Sequence, residues 1–122
     1  MQQGYKQVSF VGVSDLDAAE AFYGGVLGLS LSDARPYSLL SDTGAAQLRI
    51  TLVEDVRAAP YTVLGWVVAD LEGEIDRLLG AGVAFNRYDG LDQDERGIWT
   101  SPSGARIAWF LDPDGNNLSL QA

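Results

Sequence analysis

The side chains in this sequence that could do acid–base or metal chemistry are almost all carboxylates. Seventeen Asp and Glu stand against eight Lys and Arg, and neither histidine nor cysteine occurs in the 122 residues. Without histidine no Ser-His-Asp relay can be assembled, and the commonest ligand for zinc, iron and nickel is missing. Without cysteine, disulfides, thiolate metal sites and thiol nucleophiles are excluded. What remains is oxygen chemistry. Two carboxylates can share acid and base roles only when they are enclosed together, whereas these fall mostly at helix starts, turns and loops. The densest group, Asp89, Asp92, Asp94 and Glu95, offers an oxygen-only cation site on paper, but it lies in a turn-rich loop, where such charge runs are ordinarily solvated. No glycine-rich stretch has the spacing of a phosphate cradle. The formal net charge of −9 repels phosphate backbones, so neither nucleic acid nor an anionic membrane is an expected partner. No apolar run reaches the length of a membrane span and the first six residues lack a signal-peptide core, so a soluble cytoplasmic protein is expected.

Apolar alternation identifies the elements that must position whatever site exists. Residues 8–13 read as a strand, and Asp15 as the N-cap of a helix carrying Leu16, Ala19, Phe22, Tyr23 and Val26 on one face. Gly24-Gly25 weakens that helix and Gly28 stops it. Strands are expected over 29–31, 37–41 and 46–53, the last two joined by the turn Asp42-Thr43-Gly44. Residues 54–60 read as a linker. The order then restarts, with a strand over 62–68 and a helix capped by Asp70 with Leu71, Ile75, Leu78 and Leu79 on one face. Strands follow over 83–88, 97–100 and 106–111, and a hairpin over Asp112-Pro113-Asp114-Gly115-Asn116 leads into a final strand. Proline presets the turn, Asp112 can accept backbone amides and Gly115 can take positive φ. The junction Val13-Ser14-Asp15-Leu16 recurs as Val68-Ala69-Asp70-Leu71, 55 residues on, and Leu27-Gly28-Leu29 recurs as Ala81-Gly82-Val83, 54 on. The expected fold is α+β, one domain of two βαβββ modules, about 5–53 and 61–121.

The paired module, the segment Phe22-Tyr23-Gly24-Gly25-Val26-Leu27-Gly28-Leu29 and the Asp112-Pro113-Asp114-Gly115-Asn116 turn together resemble the vicinal oxygen chelate superfamily, which includes glyoxalases, bleomycin-resistance proteins and extradiol dioxygenases. The resemblance covers essentially the whole chain. It implies that the modules pair into a partly open, cup-shaped barrel with a ligand in the cup, and that the chain forms a homodimer. It also implies where metal ligands would sit: about seven residues before each helix-capping Asp, in the last strand of the first module, and three residues after the Asn of the turn. Here those positions hold Val8, Val63, Arg49 and Ser119. Valine has no lone pair to donate, arginine is a permanent cation and a lone serine hydroxyl is a poor ligand. Gln7, one residue before Val8, adds a single amide. No metal and no other cofactor is therefore expected.

Strand alternation extends the resemblance to a lining. With Val8 facing the cup, Phe10 faces it too, as do Gln47, Arg49 and Thr51 in the fourth strand. Val63, Gly65 and Val67 follow in the second module, with Asn117 and Ser119 in the last strand. Trp99, beside the acidic loop, could cover a planar ligand. Trp109 reads as core, Phe22 and Tyr23 as helix packing, and the phase of Arg106 stays open. Arg49 could clamp a carboxylate, phosphate or phenolate or stack on a flat ring, or it could pair with Glu54 or Asp55. The expected function is metal-free binding of a small planar, partly apolar ligand, by sequestration as in bleomycin-resistance proteins. The alternative is an enzyme of the superfamily, a lyase, isomerase or dioxygenase, with an unorthodox metal site or none. A third reading is a dimer whose cup is filled by its own side chains.

Overall fold

The expected order of one strand, one helix and three further strands occurs twice. The computed structural model describes residues 1 and 3–122 in two units, Met1–Arg57 and Ala58–Ala122. The first unit contains β1 (Gln7–Val13), helix α1 (Leu16–Ala19) continuing into a π-helical segment (Glu20–Val26), β2 (Ser32–Ala34), β3 (Ser38–Asp42) and β4 (Ala46–Leu52). Its sheet has the order β1-β4-β3-β2, with β1 parallel to β4 and the other pairs antiparallel. Asp15 caps α1 by accepting the amides of Asp17 at 2.8 Å and Ala18 at 3.2 Å, which satisfies donors that a helix start leaves free. Val11, Val13, Leu39, Leu48 and Ile50 are buried, as are Leu16, Ala19 and Tyr23 of the helical segment.

Two expectations fail in this unit. The helix is not α-helical throughout: at Gly24-Gly25 its ladder widens, so that the Leu27 amide reaches back to the Phe22 carbonyl at 2.8 Å. A glycine pair has little helix propensity to resist that widening, and Tyr23 stays fully buried, edge-on to Phe22 at 5.2 Å. Residues 29–31 are not a strand. The Leu31 side chain folds back over Gly24, where an added Cβ would meet it at 3.2 Å, and pairing begins only at Ser32.

The second unit contains β5 (Leu64–Val67), α2 (Leu71–Gly80), β6 (Trp99–Thr100), β7 (Arg106–Leu111) and β8 (Asn117–Gln121). The sheet order is β5-β8-β7-β6, with β5 parallel to β8. Asp70 caps α2 by accepting the Gly73 amide at 3.1 Å, and Gly82 follows the helix at φ +92°, where only glycine is unstrained. The helical stretch is one residue shorter than its counterpart in the first unit, as the one-residue difference between the two repeat offsets implies. Leu71, Ile75 and Leu78 are buried, as are Ala108, Phe110, Leu118 and Leu120 of the sheet. Arg106 lies on the helix side, paired with Glu72 at 2.7 Å.

The expected strand over 83–88 is reduced to one bridge, Phe85 to Phe110, plus the Asn86 amide on the Trp109 carbonyl at 2.8 Å. The outer edge of β7 is shared: β6 pairs with Arg106 and Ile107 at one end, leaving room for only a brief contact at the other. The strand expected over 97–100 shortens to two residues because Gly97 takes φ +88° at the exit of the loop before it. Among the described residues no helix is long and apolar enough to cross a membrane.

Candidate functional site

Each sheet has one face toward its helix and one turned away from it, the open face, although Ser38, Asn117 and Ser119 on these faces are buried, and the sequence-predicted residues divide between the two open faces. In the first unit the register sets Val8 beside Gln47, Phe10 beside Arg49 and Gly12 beside Thr51. Ser38 and Leu40 of β3 stand opposite Thr51 and Arg49. Val8 and Phe10 are exposed, while Gln47, Arg49 and Thr51 are half-buried. In the second unit Val63, Val67, Trp99 and Ser119 share the other open face. Gly65 pairs with Ser119, Trp109 with Ser119 across β7 and β8, and Trp99 with Ile107.

Trp109 is not core. Ala108 and Phe110 are fully buried on the helix side, so the pleat turns Trp109 to the open face, where it is half-buried beside Trp99. The two indole centroids lie 6.2 Å apart at 34°. Tyr88 stands edge-on to Trp109 at 5.5 Å and 88°, the arrangement that ring quadrupoles favour. The Trp109 indole N–H donates to the Thr62 hydroxyl at 3.0 Å. Asn117, two residues before Ser119 on the same face, donates through Nδ2 to the Tyr88 hydroxyl at 3.0 Å, and Asn86 donates to the same oxygen at 3.4 Å. Asn117 is buried, yet its Oδ1 has no hydrogen-bond partner. Tyr88 lies in a stretch whose composition reads as a strand, which hides its place beside Trp109. Alternation puts Asn117 on this face, but nothing in its neighbours distinguishes it from Ser119.

The loop beside Trp99 is organised by an amide and not by its carboxylates. Gln93 Oε1 accepts the Tyr88 amide at 2.7 Å, and its Nε2 donates to the carbonyls of Asn86 at 3.0 Å and Gly97 at 2.8 Å. Asp94 caps the following turn by accepting the amides of Arg96 and Ile98, both at 2.9 Å. Arg96 grips Asp76 of α2 with two hydrogen bonds, at 2.9 and 3.1 Å. That guanidinium holds the Asp76 carboxyl below its ordinary range. Asp94 thus serves local structure, and among the described residues no three acidic side chains gather as a metal site.

The metal positions that the resemblance implies do not fit a divalent cation. In the first unit they present an isopropyl group and a guanidinium. In the second they present another isopropyl group and the buried hydroxyl of Ser119. Such a set lacks the anionic or imidazole donors that such an ion requires. The Ser119 hydroxyl leans over Gly65 instead: an added Cβ there would overlap it and approach the Ser119 carbonyl at 3.1 Å. Gly65→Ala is therefore expected to cost about 1–3 kcal/mol through overpacking, measured by urea unfolding, and Ser119→Gly in the same chain should recover part of the loss. An unchanged midpoint would show that the strands part without strain.

Comparison with known proteins agrees with this architecture. The model of the Glyoxalase/Bleomycin resistance protein/Dioxygenase superfamily matches residues 6–120. Among solved structures, the chain is similar to a glyoxalase family protein from Bacillus anthracis, with TM-score 0.75 and 17% identity over 99% of this chain and 95% of that one. It is also similar to a member of the glyoxalase/bleomycin resistance protein/dioxygenase superfamily from Sphaerobacter thermophilus, with TM-score 0.73 and 24% identity over 97% and 96% of the two chains. A glyoxalase family protein from Enterococcus faecalis gives TM-score 0.70 and 23% identity over 98% of each chain. At these identities the likeness shows the fold alone. No curated protein matches the chain.

Proposed function

The chain belongs to the glyoxalase/bleomycin resistance protein/dioxygenase superfamily, and on that premise we propose that it binds a small planar, partly apolar molecule on the open face of its second sheet, without a metal. The observation that carries this reading is the Trp99–Trp109 pair standing on the same face as a buried amide oxygen, Asn117 Oδ1, that has no partner. Indole faces supply affinity for a flat ring, and a desolvated acceptor rewards a ligand carrying an N–H or O–H at its edge. The Tyr88 hydroxyl, already accepting two amide N–H groups, keeps its own proton to offer. Along β5, the edge strand, a shallow hollow of about 340 Å³ runs past residues 62–67, Leu64 and Trp66 of the helix side included, to Ser119 and Gln121. It adjoins Trp109 through Thr62 and Ser119 and has the volume of a small ring system. Among the described residues no enclosed acid–base pair and no group of three acidic side chains stands on this face, so the reading is binding without turnover.

Tryptophan emission tests the proposal. Titration with planar heteroaromatic compounds should give saturable quenching, and Trp109→Ala should weaken binding by about tenfold or more, as loss of an aromatic anchor does. Metal analysis of chelator-free protein accompanies it. Stoichiometric divalent metal, or no response to any planar compound, would sink the reading.

A further inference from the structure

A second candidate lies in the first unit, around Arg49. Eight cationic side chains occur in the chain, and six of them are paired with carboxylates. Lys6 holds Asp42, Arg35 holds Asp17, Glu20 and Asp33, Arg57 holds Asp55, and Arg77, Arg96 and Arg106 hold Glu74, Asp76 and Glu72. Arg87 donates to the Glu95 carbonyl at 2.7 Å. Among the described residues only Arg49 has neither an ion pair nor a hydrogen bond for its guanidinium. The alternative pairing with Glu54 or Asp55 does not form, and Asp55 is taken by Arg57. In a chain with seventeen carboxylates an unpaired, half-buried arginine does not reflect a shortage of acids. Arg49 occupies the middle of β4, an interior strand, with Phe10 on one side in register and Leu40 on the other, so no acid reaches it along the sheet. Diagonally across from it, Ser38 is 2% exposed and its hydroxyl has no partner. Ser38 pairs directly with Thr51, and both share the open face with Arg49.

We propose that this face binds an organic monocarboxylate. A guanidinium offers two parallel N–H donors that match one carboxylate. The hydroxyls of Ser38 and Thr51 add neutral donors beside it. Phe10, 65% exposed, gives an apolar or aromatic body something to lie on. The charge count favours a monoanion: one guanidinium neutralises one carboxylate, whereas a dianion would leave a charge uncompensated in a chain of net charge −9. The site uses residues of the first unit only. All three tryptophans, Trp66, Trp99 and Trp109, belong to the second, so its success or failure is read separately from that of the aromatic face.

The test is a ¹H–¹⁵N titration that follows the Arg49 side-chain Nε–H with benzoate, its neutral counterpart benzamide, and inorganic phosphate. Benzoate should shift that signal saturably, with benzamide and phosphate each weaker by about tenfold or more, the worth of a hydrogen bond to a charged group. Arg49→Gln should lose benzoate binding by a similar factor, Arg49→Lys should keep part of it, and Ser38→Ala should weaken it severalfold. Equal binding of benzamide, tighter binding of phosphate, or unaltered affinity in Arg49→Gln would overturn the proposal. Should Arg49→Gln fail to fold, the comparison of the three probes on the unaltered chain still decides.

Discussion

Asp112→Ala is expected to remove about 3 kcal/mol of stability, seen as a fall of roughly 2 M in the urea midpoint. The reason is the number of donors that this one carboxylate satisfies away from water. Asp112 is 5% exposed. Its Oδ1 accepts the amides of Asp114 at 3.0 Å and Asn116 at 2.8 Å, and its Oδ2 accepts Asn116 Nδ2 at 2.8 Å. The backbone closes around it, with the Asp112 amide on the Asn116 carbonyl and the Gly115 amide on the Asp112 carbonyl, both at 3.0 Å. Gly115 turns the chain at φ +86°, which a side chain would resist. Hydrogen bonds to a charged acceptor are worth more than neutral ones, and removing the acceptor strands buried donors. Water can reach Asp114, which is half-buried, so the three losses do not add in full. Asp112→Asn should cost less, because the acceptor for the two backbone amides survives while the new NH2 faces only Asn116 Nδ2. The damage would fall on the register of β7 against β8, which sets Trp109 against Ser119 and fixes Asn117. An unchanged midpoint would mean the turn is held by its backbone alone.

Much of this architecture is legible because strand period and capping chemistry are local. Val11, Val13, Leu48 and Ile50 alternate with Phe10, Arg49 and Thr51, and a one-residue slip would put Arg49 against the helix. Asp15 and Asp70 announce their helices by a side chain that accepts the amides just beyond it. Legibility ends where a neighbour decides. Residues 83–88 have strand-like composition, but β7 has little edge to spare for them once β6 has paired. The glycine pair announces a weak helix but not that it widens into a π-helical segment, and Trp109 depends on the phase of a strand whose charged start, Arg106, could be read either way until Glu72 is seen to hold it. The candidate site shows the same division. The open-face positions follow from alternation, but the features that make three of them notable are absences among the described residues: no partner for Asn117 Oδ1 or the Ser38 hydroxyl, and no acid for Arg49. A sequence records which groups are present, and only packing shows which of them are left over.

Asn117 permits the sharpest separation of structure from function, because the two should move in opposite directions. Asn117→Leu keeps roughly the same volume and removes a buried acceptor without a partner, whose desolvation costs about 1–3 kcal/mol. It also removes the Nδ2 bond to the Tyr88 hydroxyl at 3.0 Å, worth about 1 kcal/mol net. Asn86, at 3.4 Å from that hydroxyl, remains to hold the ring, and Gln93 still fixes the Tyr88 backbone. The balance predicts a gain of about 1 kcal/mol in stability. Binding of a planar ligand with a donor edge should weaken by about tenfold or more, because its hydrogen-bond acceptor is gone. Urea unfolding and fluorescence titration on the same variant measure both. If stability and affinity fall together, Asn117 is a structural support for Tyr88. If stability rises and affinity is untouched, the ligand does not reach β8. A rise in stability with a loss of binding is the pattern expected of a residue kept for its ligand at some expense to the fold.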